Sequence, residues 1–182
     1  MAEAMPTRTI TDDELLRLPE DGCKYEVVDG ELVRMSPAGL LHERVIGRLF
    51  LRLAAFVEAH RLGDVVGSNA LFVLPSGNKR GPDLSFLAAG RLDSVRDAVF
   101  PEIVPDLAVE VLSPNDSPRH VLDKVGDYLQ AGVRLVWVID PKGRGATVYR
   151  SLADVCRVGP DEALDGEDVL PGFACRLSDV LG

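Results

Sequence analysis

The sequence is poor in the residues that build soft-metal and disulfide sites. Of its 182 residues only three are cysteine (Cys23, Cys156, Cys175) and three are histidine (His42, His60, His120). No two cysteines stand in a CxxC spacing, and neither an HExxH nor an HxH motif occurs. That shortage argues against both a disulfide framework and a structural zinc site. Any metal chemistry has to use oxygen ligands and a hard cation such as magnesium or manganese. Long apolar runs are missing too: the longest extend about six residues, too short to span a bilayer. Met1–Thr11 carries no apolar stretch like that of a secretory leader, so a cytoplasmic location and no membrane partner are expected. Positive charge is also scarce, with 20 Lys and Arg against 29 Asp and Glu giving a net charge of −9. That balance counts against a nucleic-acid partner unless basic groups gather on one face.

What is present describes a folded chain, 46% hydrophobic and 27% charged. With no repeat, low-complexity tract or linker, a single domain over residues 1–182 is expected. Thr11 and Glu14 have capping-box spacing and open a short helix through Leu18. Tyr25–Val28 and Glu31–Val33 flank Asp29-Gly30, the signal of a tight hairpin. From His42 to His60 the apolar residues Val45, Ile46, Leu49, Phe50, Leu53, Phe56 and Val57 recur at helical spacing, with Arg44, Arg48 and Arg52 beside them as a solvated face. Extended runs follow at Asp64–Leu74, Leu84–Ala88 and Leu107–Leu112. A helix over Pro118–Ala131 starts at the N-cap Ser117 and stops at Gly132. Further strands are read at Leu135–Ile139 and Ala146–Arg150. A helix joining Leu107–Leu112 to Leu135–Ile139 predicts a parallel crossover, while the shorter earlier connections allow antiparallel pairs. The fold class is α/β (α+β), a mixed central sheet flanked by helices with an N-terminal hairpin.

Within this scheme Glu110 is out of character. It is the lone polar residue of Leu107–Leu112, which otherwise reads as a central strand covered on both faces. A buried carboxylate must be paired, protonated or bound to a metal. Asp83 enters the preceding strand through Gly81-Pro82, so two acids on neighbouring strands can converge on one cation, as hydrolytic metal sites require. Turn chemistry and a structural salt bridge are the plainer readings of these two residues. Asp106 lies about 13 Å from Glu110 along an extended strand and reads as a turn residue. On the second helix Lys124 sits at the edge of the stripe Val121, Val125, Tyr128, Leu129, whereas Asp123 and Asp127 fall on the far side. Its ammonium either lies along apolar surface or reaches the sheet end near Glu110.

These residues, in this order, resemble the PD-(D/E)XK nucleases, and more closely the Uma-type family of restriction-endonuclease-like proteins. The resemblance covers nearly the whole chain. It rests on Tyr25–Leu32, on His42 at a helix start, on Gly81-Pro82-Asp83, and on the strand and turn Pro105–Pro114. Lys124, Tyr128, Gly132, the run Val136–Pro141 and the C-terminal Asp168–Phe173 complete it. It implies a restriction-endonuclease-like core and an endonuclease that hydrolyses nucleic acid, DNA above all, with Mg²⁺ or Mn²⁺ held by Asp83 and Glu110. Asp83, Glu110 and Lys124 would be catalytic, Glu26 and His42 accessory groups at the rim, and a homodimer the expected assembly. One position departs from the pattern: two residues after the glutamate, where the signature has lysine, stands Leu112. Lys124 from the following helix would take its role. That departure and the acidic charge keep an alternative open, a catalytically inactive nuclease-fold binding or regulatory module. An interaction scaffold whose carboxylates serve structural ion pairs is a third reading.

Overall fold

The computed structural model describes residues 9–19, 21–35 and 37–182. The reading of Met1–Thr11 as leaderless falls mainly on residues 1–8, outside the described residues. The chain runs through α1 (Asp12–Leu16), β1 (Lys24–Val28), β2 (Glu31–Met35), α2 (Leu40–His60), β3 (Gly63–Gly67), β4 (Phe72–Val73), β5 (Lys79–Arg80) and β6 (Leu84–Ala88). It continues through β7 (Leu107–Val111), α3 (Pro118–Ala131), β8 (Leu135–Asp140), β9 (Gly145–Tyr149), β10 (Val155–Val158), β11 (Ala163–Asp165), β12 (Ala174–Arg176) and α4 (Leu177–Leu181). Among the described residues, no helix is long and apolar enough to cross a membrane.

The central sheet has the order β10-β9-β8-β7-β6-β3 and is mixed: β7 and β8 are parallel, every other neighbour antiparallel. The α3 crossover therefore does what its length and position dictate. A smaller antiparallel sheet, β2-β1-β5-β4, carries the N-terminal hairpin, and β11 pairs with β12. Asp29 and Gly30 both have positive φ (51° and 80°), the backbone that a two-residue hairpin turn needs.

Alternation along the strands divides the core between two faces. Leu107, Val109 and Val111 of β7 pack with Val45, Leu49, Leu53 and Val57 of α2 in one cluster. Ala108 packs on the other face with Val125 and Tyr128 of α3. Glu110 shares parity with Ala108, so period-two geometry delivers its carboxylate to the α3 side. The two long helices each end in a left-handed residue, Arg61 after α2 and Gly132 after α3. Thr11 and Glu14 form the reciprocal capping box that opens α1, and Ser117 accepts from the His120 amide at the start of α3.

Three expectations are corrected. The run Asp64–Leu74 is two strands rather than one, because a turn at residues 68–69 sends β3 to the large sheet and β4 to the small one. Phe50, expected in the apolar stripe, is on the flank of α2 and 38% exposed. Arg44 and Arg48 donate to the carbonyls of Leu181 and Val180, so they cap α4 rather than only facing solvent.

Gly63 opens β3 at φ +145°, and a Cβ there would lie 1.9 Å from the Leu87 carbonyl oxygen on β6. Gly63→Ala is expected to cost about 2 kcal/mol or more, from strain plus a displaced strand pair. Urea denaturation checks this; an unchanged midpoint would contradict it.

Candidate active site

β6 and β7 run antiparallel with Leu84 opposite Val109, so one step further along the register puts Asp83 opposite Glu110. Asp83 sits just before its strand and is buried, held by two donors on one oxygen. The Val111 amide donates to Oδ2 at 2.8 Å, and His42 Nε2 lies 3.1 Å from the same atom. Lys24 Nζ, from the start of β1, is 3.7 Å from Oδ1 and donates to the Gly81 carbonyl. His42 comes from the first turn of α2, where its Nδ1 meets Glu43 at 3.2 Å.

Glu110 is held from α3. Lys124 Nζ donates to Oε2 at 3.1 Å and Tyr128 OH to Oε1 at 2.6 Å. Positions 124 and 128 are one helical turn apart, which is why both can reach one carboxylate. The same ammonium lies 3.3 Å from Glu26 Oε1. Glu26 is fully buried and accepts from the Gly81 amide at 3.1 Å and from Arg80 Nη1 at 2.9 Å. Arg80, itself 2% exposed, also binds Asp127 through Nε (2.7 Å) and Nη2 (2.6 Å). Asn78 ties Asp127 to the hairpin turn, donating from Nδ2 at 3.1 Å and accepting the Asp29 amide on Oδ1 at 2.8 Å.

A cleft of about 940 Å³ opens over this cluster, and Asp83, Glu110, Lys124, His42 and Lys24 all line it. The structure thus brings Asp83, Glu110, Lys124 and His42 together. It does not bring Glu26 to the rim: that residue lies beneath, bonded to Lys124. Asp127 is not on a solvent face either, because the flank of α3 meets β5 there instead of water. Asp106 does not line the cleft; instead of capping a turn of its own it accepts from the Ala88 amide at the end of β6 and pairs with Arg91. Leu112 is half-buried on the apolar cluster beneath α3 and does not line the cleft. Lys24 escaped notice in the sequence. It stands one residue before the run read at Tyr25–Val28, a position that says nothing about a partner 59 residues away.

The surroundings push the two acids apart. Burial raises Asp83, but the His42 hydrogen bond, the Lys24 ammonium and the Val111 amide outweigh it and hold the carboxyl below its usual range. Burial also raises Glu110; Lys124 pulls it back only in part and the Asp83 charge adds to the rise, so it lies above the usual range. Glu26 is lowered despite burial by Lys124, Lys24 and Arg80. Burial lowers Lys124, yet Glu110 and Glu26 more than restore it, and the amine stays protonated. The buried Tyr128 hydroxyl is driven well up, first by burial and then by Glu110, and is a proton donor throughout the physiological range.

The donor chemistry fits a hard dication. Asp83 and Glu110 offer carboxylate oxygens in one cleft, and magnesium commonly takes one or two carboxylates and keeps several waters. Among the described residues no group of three or more His, Cys, Asp or Glu side chains is placed to hold a metal ion.

Burial lowers His42, but the Asp83 carboxylate overcomes it and raises the imidazole above 6.5. The His42–Asp83 pair is therefore at full strength below the unfolded histidine value, about pH 6.5, and fades as pH climbs through the higher folded value. In the cation-free protein, titration of the His42 ring nitrogens by NMR is expected to give a midpoint above 6.5 that drops in Asp83→Asn. An unmoved midpoint would overturn the pairing.

Comparison with known proteins agrees with this architecture. A solved structure described as a putative nuclease of the DUF820 family, from Anabaena variabilis ATCC 29413, superposes with a TM-score of 0.82. The match is 22% identical and covers 94% of this chain and 97% of that one, so it shows a shared fold. No curated protein matches the chain. The family described as "Uma2: Putative restriction endonuclease" matches residues 12–178, nearly the whole length, and the chain belongs to that family.

Proposed function

We propose that this protein is a metal-dependent endonuclease that hydrolyses phosphodiester bonds of DNA, folding as one domain over residues 1–182. The observation that carries the reading is the convergence of two buried acids and a buried ammonium in one cleft, with the acids driven in opposite directions. Such paired and separated acids are characteristic of catalytic sites.

Asp83 and Glu110 would hold Mg²⁺ or Mn²⁺. Bound there, the cation would supply Lewis acidity toward the phosphate and lower the pKa of water. Lys124 donates to whatever anion occupies the cleft, orienting the attacking water and offsetting charge that builds on the phosphate. Glu26 keeps the ammonium protonated and aimed. Tyr128 fixes the Glu110 carboxylate in one orientation. His42, locked by Asp83, accepts or donates a proton at the rim. Lys24 supplies a second cation for the phosphate on the open side.

Charge balance supports this division of labour. The cluster holds Lys24, His42, Arg80 and Lys124 against Glu26, Asp83, Glu110 and Asp127, which is near neutrality with His42 protonated. A dication alone would leave it at about +2, and an anionic phosphate diester in the cleft would cut that excess to about +1. The net charge of the whole chain is thus less telling than the local field. A second reading, a non-catalytic binding module, is favoured by Leu112, which carries no charge where the usual signature has lysine.

Asp83→Asn, Glu110→Gln and Lys124→Ala are each expected to lower magnesium-dependent cleavage of plasmid and oligonucleotide DNA by about 100- to 1,000-fold, with folding checked by circular dichroism. Wild-type turnover in all three variants would reject these roles. Manganese binding by calorimetry without turnover on any nucleic acid would favour the binding module. Lys24→Ala is expected to weaken binding to DNA of any sequence and to reduce the salt dependence of that binding by about one counterion. An unchanged salt slope would remove Lys24 from the phosphate contact.

A further inference from the structure

Two of the chain's three histidines line the cleft. His60 is elsewhere, at the far end of α2, where its ring stacks on Phe56 and its Nδ1 meets the Phe56 carbonyl at 2.8 Å. His42 reaches the cleft from the first turn of α2, and His120 from the first turn of α3 on the other face of the sheet. Their rings are bound differently. Both nitrogens of His42 are engaged, Nε2 with Asp83 at 3.1 Å and Nδ1 with Glu43 at 3.2 Å. The ring of His120 has no hydrogen bond or ion pair among the described residues; its backbone amide alone is bound, donating to Ser117 Oγ at 3.2 Å.

Position along α3 fixes where that unengaged ring stands. His120 and Lys124 are four residues apart, on one face of the helix and about 6 Å apart along its axis at 1.5 Å per residue. Arg119 and Asp123, one residue before each, are exposed, so the face of His120 and Lys124 turns inward. Burial falls along it from floor to mouth: Tyr128 is 0% exposed, Lys124 6%, and His120 half-buried. His120 stands one turn above the ammonium, on the open side of the cleft.

We propose that His120 is the general acid of the phosphodiester cleavage, giving its proton to the bridging oxygen that leaves phosphorus, an assignment that rests on the nuclease reading. In an in-line displacement the attacking and leaving oxygens stand on opposite sides of phosphorus. An attack prepared at the floor, by Lys124 and the two acids, points the leaving oxygen toward the mouth, where His120 is. The water oxygen bonds to phosphorus as the bond to the bridging oxygen breaks, and the electron pair of that bond stays on the leaving oxygen. The imidazolium proton joins it there, so an alcohol departs rather than an alkoxide. One proton of the attacking water passes to solvent, and a proton from solvent restores the imidazolium.

Other proton carriers at the site are committed. The Lys124 ammonium is shared by Glu110 and Glu26, which hold its proton more tightly than usual. The Tyr128 hydroxyl donates to Glu110 at 2.6 Å beneath the cleft. His42 cannot turn either ring nitrogen to the leaving oxygen without breaking its contact to Asp83 or Glu43. Histidine as a side chain changes charge near neutral pH, so an unengaged imidazole can give a proton and recover it.

A change of leaving group tests this. The probe is a DNA oligonucleotide with sulfur in place of the bridging oxygen that leaves, at a phosphate the wild type cuts; a thiolate departs without needing a proton. With manganese throughout, His120→Ala and His120→Gln are expected to cut the ordinary oligonucleotide about 100-fold or more slower than the wild type, and the sulfur one within about threefold of it. Lys124→Ala, acting on the side of the attacking water, should be slow on both. Unimpaired cleavage of the ordinary DNA by the His120 variants would overturn the assignment. So would an equal loss on the two substrates, the mark of a structural or binding role, and either result leaves the nuclease reading standing. A wild type that cuts no DNA at all would remove that reading and the assignment with it.

Discussion

The ammonium of Lys124, almost removed from solvent, lies 3.1 Å from one carboxylate oxygen of Glu110 and 3.3 Å from one of Glu26. Three charges in that setting are tolerable only together. Taking the amine away would leave two buried carboxylates repelling each other, a defect of several kcal/mol. The surrounding architecture is arranged to keep the three in register. Glu26 is fixed from the small sheet through Arg80 and the Gly81 amide, Glu110 by the central strand β7, and Lys124 by the docking of α3. The hairpin, the large sheet and the crossover helix are thereby joined at a point, which is also where the cleft opens.

From that constraint the rest of the site follows. Asp83 is lowered and Glu110 raised because their neighbours differ: the first faces a histidine, a lysine and an amide, the second a single shared ammonium and a phenol. Two carboxyl groups opposite each other on adjacent strands therefore present different affinities for a proton in the same cleft. The chain as a whole carries −9, yet this region is locally compensated, with four cationic side chains set among four acids.

Much of this was legible in the sequence, and the reasons are local. Asp29-Gly30 demanded positive φ and received it. Ser117, Pro118 and Gly132 bounded α3 at the residues observed, since caps act on their own helix. Glu110 stood out because an acid in an apolar strand has few tolerable fates. The network beneath the cleft was not legible. β5 is two residues long and has no periodicity to detect, so Arg80 could not be placed opposite Glu26 or Asp127. For the same reason Asp127 looked solvated and Glu26 looked like a rim residue. The split of residues 64–74 between two sheets, and the seat of α4 against Arg44 and Arg48 of α2, likewise depend on partners distant in the chain.

In the usual signature the amine and the acid ride on one strand, two residues apart, and covalent geometry fixes their separation. Here the amine arrives on a helix, and Leu112 is turned to the apolar layer instead. The spacing between Lys124 and Glu110 is then a matter of how Val125 and Tyr128 seat α3 on the sheet. A covalent ruler has been exchanged for a mechanical one. Any ligand, neighbouring chain or substitution that slides or tilts that helix by a fraction of an ångström resets the distance from Lys124 to Glu110, with no contact to the cleft needed.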